Sequence, residues 1–234
     1  MTLRDDYNRD GYVKVVENIH PSVMLANERE LKSMLDADVE KYIGYLRASA
    51  KHIEAQRLFL CTRVLAQIIG VPTIIEQPVL HVMSPALRIP DGYYGTVAHQ
   101  DWPSTQGSLD SVTVWIALTD AGIGNFPLEV IPGSHKRGLL DGKMNGSVLE
   151  VEADDKEFIP VECKAGDVIF MSGFTVHRTG QGNGFRVAVS QRFDNAAEPT
   201  FIERGYPCAQ KRVVDREIRW KPSVEQVQKI YAVD

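Results

Sequence analysis

His99 and Asp101 stand two residues apart in Val97-Ala98-His99-Gln100-Asp101-Trp102-Pro103. In an extended segment alternate side chains share a face, so an imidazole and a carboxylate can reach one metal ion together. His-x-Asp arises often by chance, and the pair needs a third ligand from elsewhere. His177, in Phe174-Thr175-Val176-His177-Arg178, is the leading candidate, with His135 next in line. Two histidines and one carboxylate leave open positions on the ion, the ligand set of non-haem Fe(II) oxygenases.

The remaining histidines read differently. His20 and His52 fall in the N-terminal, helical third, where surface or capping roles are expected. His81 alternates within a β-prone run but has no carboxylate at ligand spacing, and is set aside as structural. His135, in Ile131-Pro132-Gly133-Ser134-His135-Lys136, follows a strand in a turn and can line a site without binding metal. Arg186 lies nine residues beyond His177, across Gly180-Gln181-Gly182-Asn183-Gly184. No helix follows these glycines, so they are not a phosphate loop. They read as a hairpin turn that brings Arg186 close to His177. Arg186, Ala188, Ser190 and Arg192 alternate against Val187, Val189, Gln191 and Phe193, and the pattern alone leaves Arg186 either inward or on a solvated face. A buried arginine needs an anion, and its fork suits a carboxylate bidentately. Fe(II) beside a carboxylate-binding arginine is what a 2-oxo-acid cosubstrate requires.

Two kinds of element must position these groups. Asn27 and Glu30 form a capping box, and Leu31, Met34, Leu35, Val39, Tyr42 and Leu46 recur at helical spacing. A second helix is predicted from near Ser49, carrying Leu60, Cys61, Val64, Leu65 and Ile68, with Gly70 and Pro72 as its stop. These helices are expected to cover the outer face of a sheet. Asp10-Gly11-Tyr12 is a turn into a short β-prone segment. From Val79 the period changes to two, and nine short strands are predicted: Val79–Ser84, Leu87–Ile89, Tyr94–Ala98, Ser111–Leu118, Leu128–Ile131, Ile159–Cys163, Asp167–Met171, Phe174–Arg178 and Phe185–Phe193. Such density suggests a β-sandwich or jelly roll. Residues 139–157 read as a long loop near its mouth, and Val224 to Tyr231 as a short helix.

Composition narrows the function classes. With 234 residues, 44% of them apolar, the chain is expected to form one domain, 1–234, with an ample core. A net charge of −5 argues against a nucleic-acid or anionic-membrane surface. No run approaches the length of a membrane helix. The charged N-terminus lacks the apolar segment of a signal peptide. Three cysteines, Cys61, Cys163 and Cys208, without CxxC spacing, read as free thiols. A cytoplasmic location is the resulting expectation.

His99-Gln100-Asp101, Pro132-Gly133-Ser134-His135, Gly166-Asp167 leading to His177, and Arg186 follow in an order that resembles the phytanoyl-CoA dioxygenase family. That family is a branch of the Fe(II)/2-oxoglutarate-dependent oxygenases. Asp10-Gly11-Tyr12 fits its usual opening, so the resemblance runs from position 7 to about 195. It implies a mainly β, double-stranded β-helix (cupin-like jelly roll) with N-terminal helices outside the major sheet. It implies His99, Asp101 and His177 as iron ligands and Arg186 on the distal carboxylate of 2-oxoglutarate, with O₂ as co-reactant. Trp115 resembles a family position lining the cosubstrate pocket. Thr113 shares its strand face and Ser190 lies on the arginine strand; all three also read as ordinary barrel-filling residues. The chain departs from the pattern at Asn125-Phe126-Pro127-Leu128, where Phe126 is expected to narrow the pocket entrance. Related halogenases replace the carboxylate ligand with a small residue; Asp101 is intact, which favours hydroxylation.

The expected partner is a small molecule. A CoA ester would want a cationic cluster, and the loops offer only Lys136, Arg137 and Lys143, with Arg88. The candidate mouth residues Tyr93, Tyr94, Trp102, Ser104, Gln106 and Ser108 are aromatic and polar, suited to a small or medium polar metabolite not carried on CoA. The rival readings are a non-redox, isomerase-like metal cupin and a catalytically silent binding module on the same barrel.

Overall fold

Strict alternation along the β-prone runs decides the layers. In a computed structural model describing residues 2–16, 26–74, 78–89, 95–145, 148–205, 218 and 220–232, with side chains of 54–62 and 74 left undescribed, two six-stranded antiparallel sheets face each other. The major sheet comprises β1 (Tyr12–Val15), β2 (Pro72–Ile74), β3 (Val79–Met83), β5 (Val112–Ala117), β10 (Val168–Ser172) and β12 (Arg186–Asn195), in the order β1-β10-β5-β12-β2, with β3 also on β12. The minor sheet comprises β4 (His99–Gln100), β6 (Leu128–Val130), β7 (Gly142–Asn145), β8 (Val148–Val151), β9 (Ile159–Val161) and β11 (His177–Thr179), in the order β7-β8-β4-β11-β6-β9.

One set of alternate residues in the major sheet, Val112, Val114, Ile116, Phe170, Val187 and Val189, packs outward on helices. The other set, Trp115, Ala117, Ile169, Met171 and Ala188, packs inward with Leu128 and Val130 of the minor sheet. The expected jelly roll, with helices outside its major sheet, is the architecture found. Ile53, Val64, Leu65 and Ile68 of the helix Val39–Ile68 contribute to the outer layer, joined by Val227 of the C-terminal helix Val224–Ile230.

The helical third is divided differently from its apolar pattern. Thr2 caps a first helix, α1 (Leu3–Asp10), through a capping box with Asp5 that the sequence reading passed over. Gly11 ends it at φ 81°, and a Cβ there would meet His135 Nδ1 at 2.4 Å, so glycine is required twice over. The Asn27–Glu30 box opens α2 (Glu28–Ala37) as expected. Extended Asp38 then breaks the helix, and its carboxylate accepts from the amides of Glu40 and Lys41 to start α3 (Val39–Ile68). The helix start predicted near Ser49 is therefore wrong: α3 runs unbroken past it.

Several strand expectations also change. Leu87–Ile89 is not a strand; Pro85–Leu87 is a 3-10 turn capped by Ser84. Of the predicted strand Tyr94–Ala98, Tyr94 lies outside the described residues and 95–98 precede the strand, which begins at His99; that predicted over Phe174–Arg178 begins at His177. The predicted loop 139–157 contains the β7–β8 hairpin, whose outer strand is exposed and polar, as suits an edge. The supposed hairpin between His177 and Arg186 does not form. β11 joins the minor sheet and β12 the major one, so the glycine segment crosses between sheets. Among the described residues no helix is long and apolar enough to cross a membrane. Cys163 is buried and outside any disulfide, with burial pushing its thiol up to about 12; Cys208 lies outside the described residues, as does the side chain of Cys61.

Candidate metal centre

Direct cross-strand pairing brings the two histidines together. His99 of β4 and His177 of β11 are opposite one another in register, and their ring centroids lie 4.1 Å apart. His99 Nδ1 lies 2.8 Å from the carbonyl of Val97, and His177 Nδ1 lies 3.0 Å from that of Thr175. A carbonyl only accepts, so each Nδ1 donates, and each Nε2 is the ring nitrogen that faces Asp101. Burial, reinforced by the neighbouring His177, pushes His99 down to about 3, so its ring is neutral. Gln100, on the opposite face, is satisfied by Gly138, Leu140 and Phe174.

Asp101 is no longer in the strand. Its backbone turns to φ −79°, ψ −32° and opens the short helix α4 (Trp102–Thr105). Trp102 anchors that turn, fully buried and stacked on Phe174 with ring centroids 5.3 Å apart. The carboxylate nevertheless reaches both rings: Oδ1 is 3.7 Å from His99 Nε2 and Oδ2 is 3.6 Å from His177 Nε2. One donor atom from each of the three residues lies within 4.8 Å of the others, and all three residues are buried. Two imidazoles and a carboxylate in this arrangement fit a divalent ion of the Fe(II) type. Burial alone would raise the Asp101 pKa. The Arg192 guanidinium, followed by the two histidines, more than offsets this and holds the carboxyl well below its ordinary range.

The cavity beside this cluster measures about 330 Å³. Arg186 lines it and is 1% exposed, which excludes the solvated-face alternative. Its Nη1 donates to the carbonyl of Phe126 at 2.8 Å, and its guanidinium sits 5.5 Å from the Trp115 ring centre. Phe126 reaches Arg186 from φ 50°, a left-handed conformation that bulky residues rarely adopt. Trp115, Thr113 and Ser190 all line the cavity. Thr113 does more than fill it, since its hydroxyl donates to Asp101 Oδ2 at 2.7 Å.

Other candidates move. His81, set aside as structural, lines the cavity from β3 with Nε2 2.9 Å from Ser190 Oγ. Burial, aided by Arg186 and Arg192, pushes it down to about 3 and keeps it neutral. His135 is not beside the cluster: its ring packs edge-on against Tyr231 and its Nε2 meets the carbonyl of Asn8. Of the mouth candidates, Ser104 lines the cavity. Trp102, Gln106 and Ser108 are buried away from its lining, while Tyr93 and Tyr94 lie outside the described residues. Arg192, a second arginine in the lining, was placed on the Arg186 face by the alternation but not singled out as a site residue.

A family model described as phytanoyl-CoA dioxygenase (PhyH) matches residues 23–188. The chain belongs to that family. It is 27% identical to the methylphosphonate hydroxylase of Gimesia maris over 191 residues, spanning 75% of this chain and 72% of that protein. It is 36% identical to the phytanoyl-CoA dioxygenase of Arabidopsis thaliana over 90 residues, 36% of this chain and 32% of that one. Among solved structures, the carbocyclase SnoK from nogalamycin biosynthesis, described as non-heme and alpha-ketoglutarate dependent, superposes with a TM-score of 0.55 at 20% identity, covering 92% of this chain and 93% of its own. EctD from S. alaskensis, solved with 2-oxoglutarate and 5-hydroxyectoine, gives 0.52 at 18% identity, covering 82% and 75%. These structural likenesses show a shared fold.

Proposed function

We propose that this PhyH-family chain is an Fe(II)- and 2-oxoglutarate-dependent dioxygenase that hydroxylates a small or medium polar metabolite, with release of succinate and CO₂. One domain, 1–234, carries the activity in this reading. The observation that carries it is the convergence of His99, Asp101 and His177 at one wall of a cavity whose opposite wall presents Arg186. His99, Asp101 and His177 would hold Fe(II), which when bound with 2-oxoglutarate and O₂ supplies the oxidising power. Arg186 would bind the distal carboxylate of 2-oxoglutarate through its guanidinium, while Trp115 and Ser190 shape the space between. The inward apolar residues Ile169, Met171 and Leu128 exclude water from it.

An isomerase-like metal cupin has no use for a buried cavity arginine, so Arg186 favours the oxygenase over that rival. A silent binding module has no need of the complete ligand set. The cavity volume is at the small end for ligand sites, which supports a compact substrate over a CoA ester. Ser104, His81 and Ser190 offer it hydrogen bonds. The substrate named for the Gimesia maris relative is likewise small and polar. Asp101 supports hydroxylation; the epimerase SnoN and carbocyclase SnoK among the structural neighbours mark the alternative outcomes.

The test is an anaerobic spectrum of the protein with Fe(II) and 2-oxoglutarate, followed by succinate release across a polar metabolite panel and a set of acyl-CoAs. A charge-transfer band and succinate stimulated by a polar compound, with a hydroxylated product by mass, are expected. Stimulation by an acyl-CoA that is lost when CoA is removed would overturn the substrate class. Absence of the band would overturn the reading itself.

A further inference from the structure

Arg192 lies on the same face of β12 as Arg186, six residues farther along. Six residues of extended strand separate the two Cα atoms by about 20 Å, so the guanidiniums address different parts of the cavity. Arg192 Nη2 donates to Asp101 Oδ1 at 2.6 Å, and Thr113 Oγ1 donates to Oδ2 at 2.7 Å. Arg192 and Thr113 are themselves cross-strand partners in register between β12 and β5. A single strand pair of the major sheet therefore grips both oxygens of a carboxylate carried on the other side of the cavity.

That carboxylate straddles the histidines, Oδ1 toward His99 and Oδ2 toward His177. Without restraint it can meet an ion with both oxygens. A charge-assisted bond from a guanidinium draws more electron density from its oxygen than a neutral hydroxyl does, which leaves Oδ2 the better donor. We infer that Arg192, acting with Thr113, is a positioning residue that makes Asp101 a one-oxygen ligand through Oδ2, keeping a coordination position open for the cosubstrate. The inference rests on the oxygenase reading above and adds to it the residue that sets how the carboxylate ligates.

The experiment replaces Fe(II) with Co(II), whose visible ligand-field band reports coordination number without turnover. Arg192→Gln, Arg192→Met and Arg192→Lys are compared with the parent, each checked first by circular dichroism. The neutral variants should bind Co(II) with an altered band and require about 10- to 100-fold more 2-oxoglutarate to perturb it. Arg192→Lys, which restores the charge, should return the band toward that of the parent. Neutral variants with the parent band and a 2-oxoglutarate affinity within about twofold would overturn the inference. Should the neutral variants fail to fold, Thr113→Val tests the grip from the other oxygen, and an unchanged Co(II) band in that variant overturns it equally. A parent protein that takes up no Co(II) would sink the oxygenase reading, whereas a parent that binds it, matched by its variants, sinks only the role of Arg192.

Discussion

The two walls of the cavity are built by different means. The minor sheet presents His99 and His177 from strands of two and three residues, with Asp101 just beyond a strand end. Each ring is aimed by a local contact, a carbonyl two residues back, and the turn that carries Asp101 is anchored by the buried Trp102, while its carboxylate is held from the major sheet by Arg192 and Thr113. The major sheet presents Arg186, Ser190 and Arg192 from one ten-residue strand, where regular alternation alone decides what faces the cavity. Groups that must converge within a few ångströms sit where the backbone is irregular and pinned. Groups spread along a ligand sit where it is regular. Continuing on its inward face, β12 leaves the cavity and buries Asp194, so one strand is cationic within the site and carboxylic beyond it.

The largest effect should come from the minor-sheet wall. His99→Ala, Asp101→Ala and His177→Ala should each abolish detectable Fe(II) binding in anaerobic calorimetry while circular dichroism stays that of the parent. His135→Ala should leave metal affinity unchanged and lower stability by about 1–3 kcal/mol through loss of a buried, hydrogen-bonded ring. Parent-like affinity in His177→Ala would erase the division between the walls.

On the opposite wall the effect should fall on the cosubstrate instead. Arg186→Ala should leave Fe(II) affinity nearly intact and weaken 2-oxoglutarate by about 2–5 kcal/mol, roughly 30- to several thousand-fold. A KM for 2-oxoglutarate that barely moves would mean the major sheet does not hold the cosubstrate.

The smallest effect concerns the far end of β12. Burial pushes Asp194 up to about 7 from 3.8, despite the Ser108 backbone and hydroxyl groups that favour its charged form. The folded state thus holds this proton more tightly than the unfolded chain, and stability declines as pH rises from about 4 to 7. Asp194→Asn removes that loss, so its Tm should gain on the parent between pH 5 and pH 8 by about 2–4 °C for each kcal/mol recovered. A Tm difference independent of pH would show the carboxyl ionised in both states.

Much of this was readable from residue spacing. Period-two alternation grouped Trp115 with Thr113, and Arg186 with Ser190, but left open whether the arginine face pointed inward, which its burial decides. The Asn27–Glu30 box marked a real helix start, because capping is a local interaction; the Gly70–Pro72 stop fell just past the end of α3, although extended Ile69 and not the glycine is its C-cap. What alternation does not encode is the partner strand, and so the segment after His177 read as a hairpin when it carries the chain to the other sheet. The break at Asp38 was hidden because apolar spacing continues across it, and the β7–β8 hairpin because an exposed edge strand needs no apolar face. His81 was discarded for lacking a carboxylate, a criterion for ligands that says nothing about lining a cavity. Arg192 had a usable signal in the shared face with Arg186, but its contact with Asp101 depends on pairing between β12 and β5.

The bonds that orient the two histidines have a consequence for how such a site can change over generations. Their acceptors are the main-chain oxygens of Val97 and Thr175, which every amino acid carries. No single codon change at position 97 or 175 can delete them, so ring tautomer and aim are sheltered from drift. On the opposite wall the contacts of His81 with Ser190, and of Arg192 and Thr113 with Asp101, join one side chain to another, although Arg186 also leans on the main chain at Phe126. Selection can therefore rewrite what the chamber admits, residue by residue along β3 and β12, while the chemistry it performs is inherited whole.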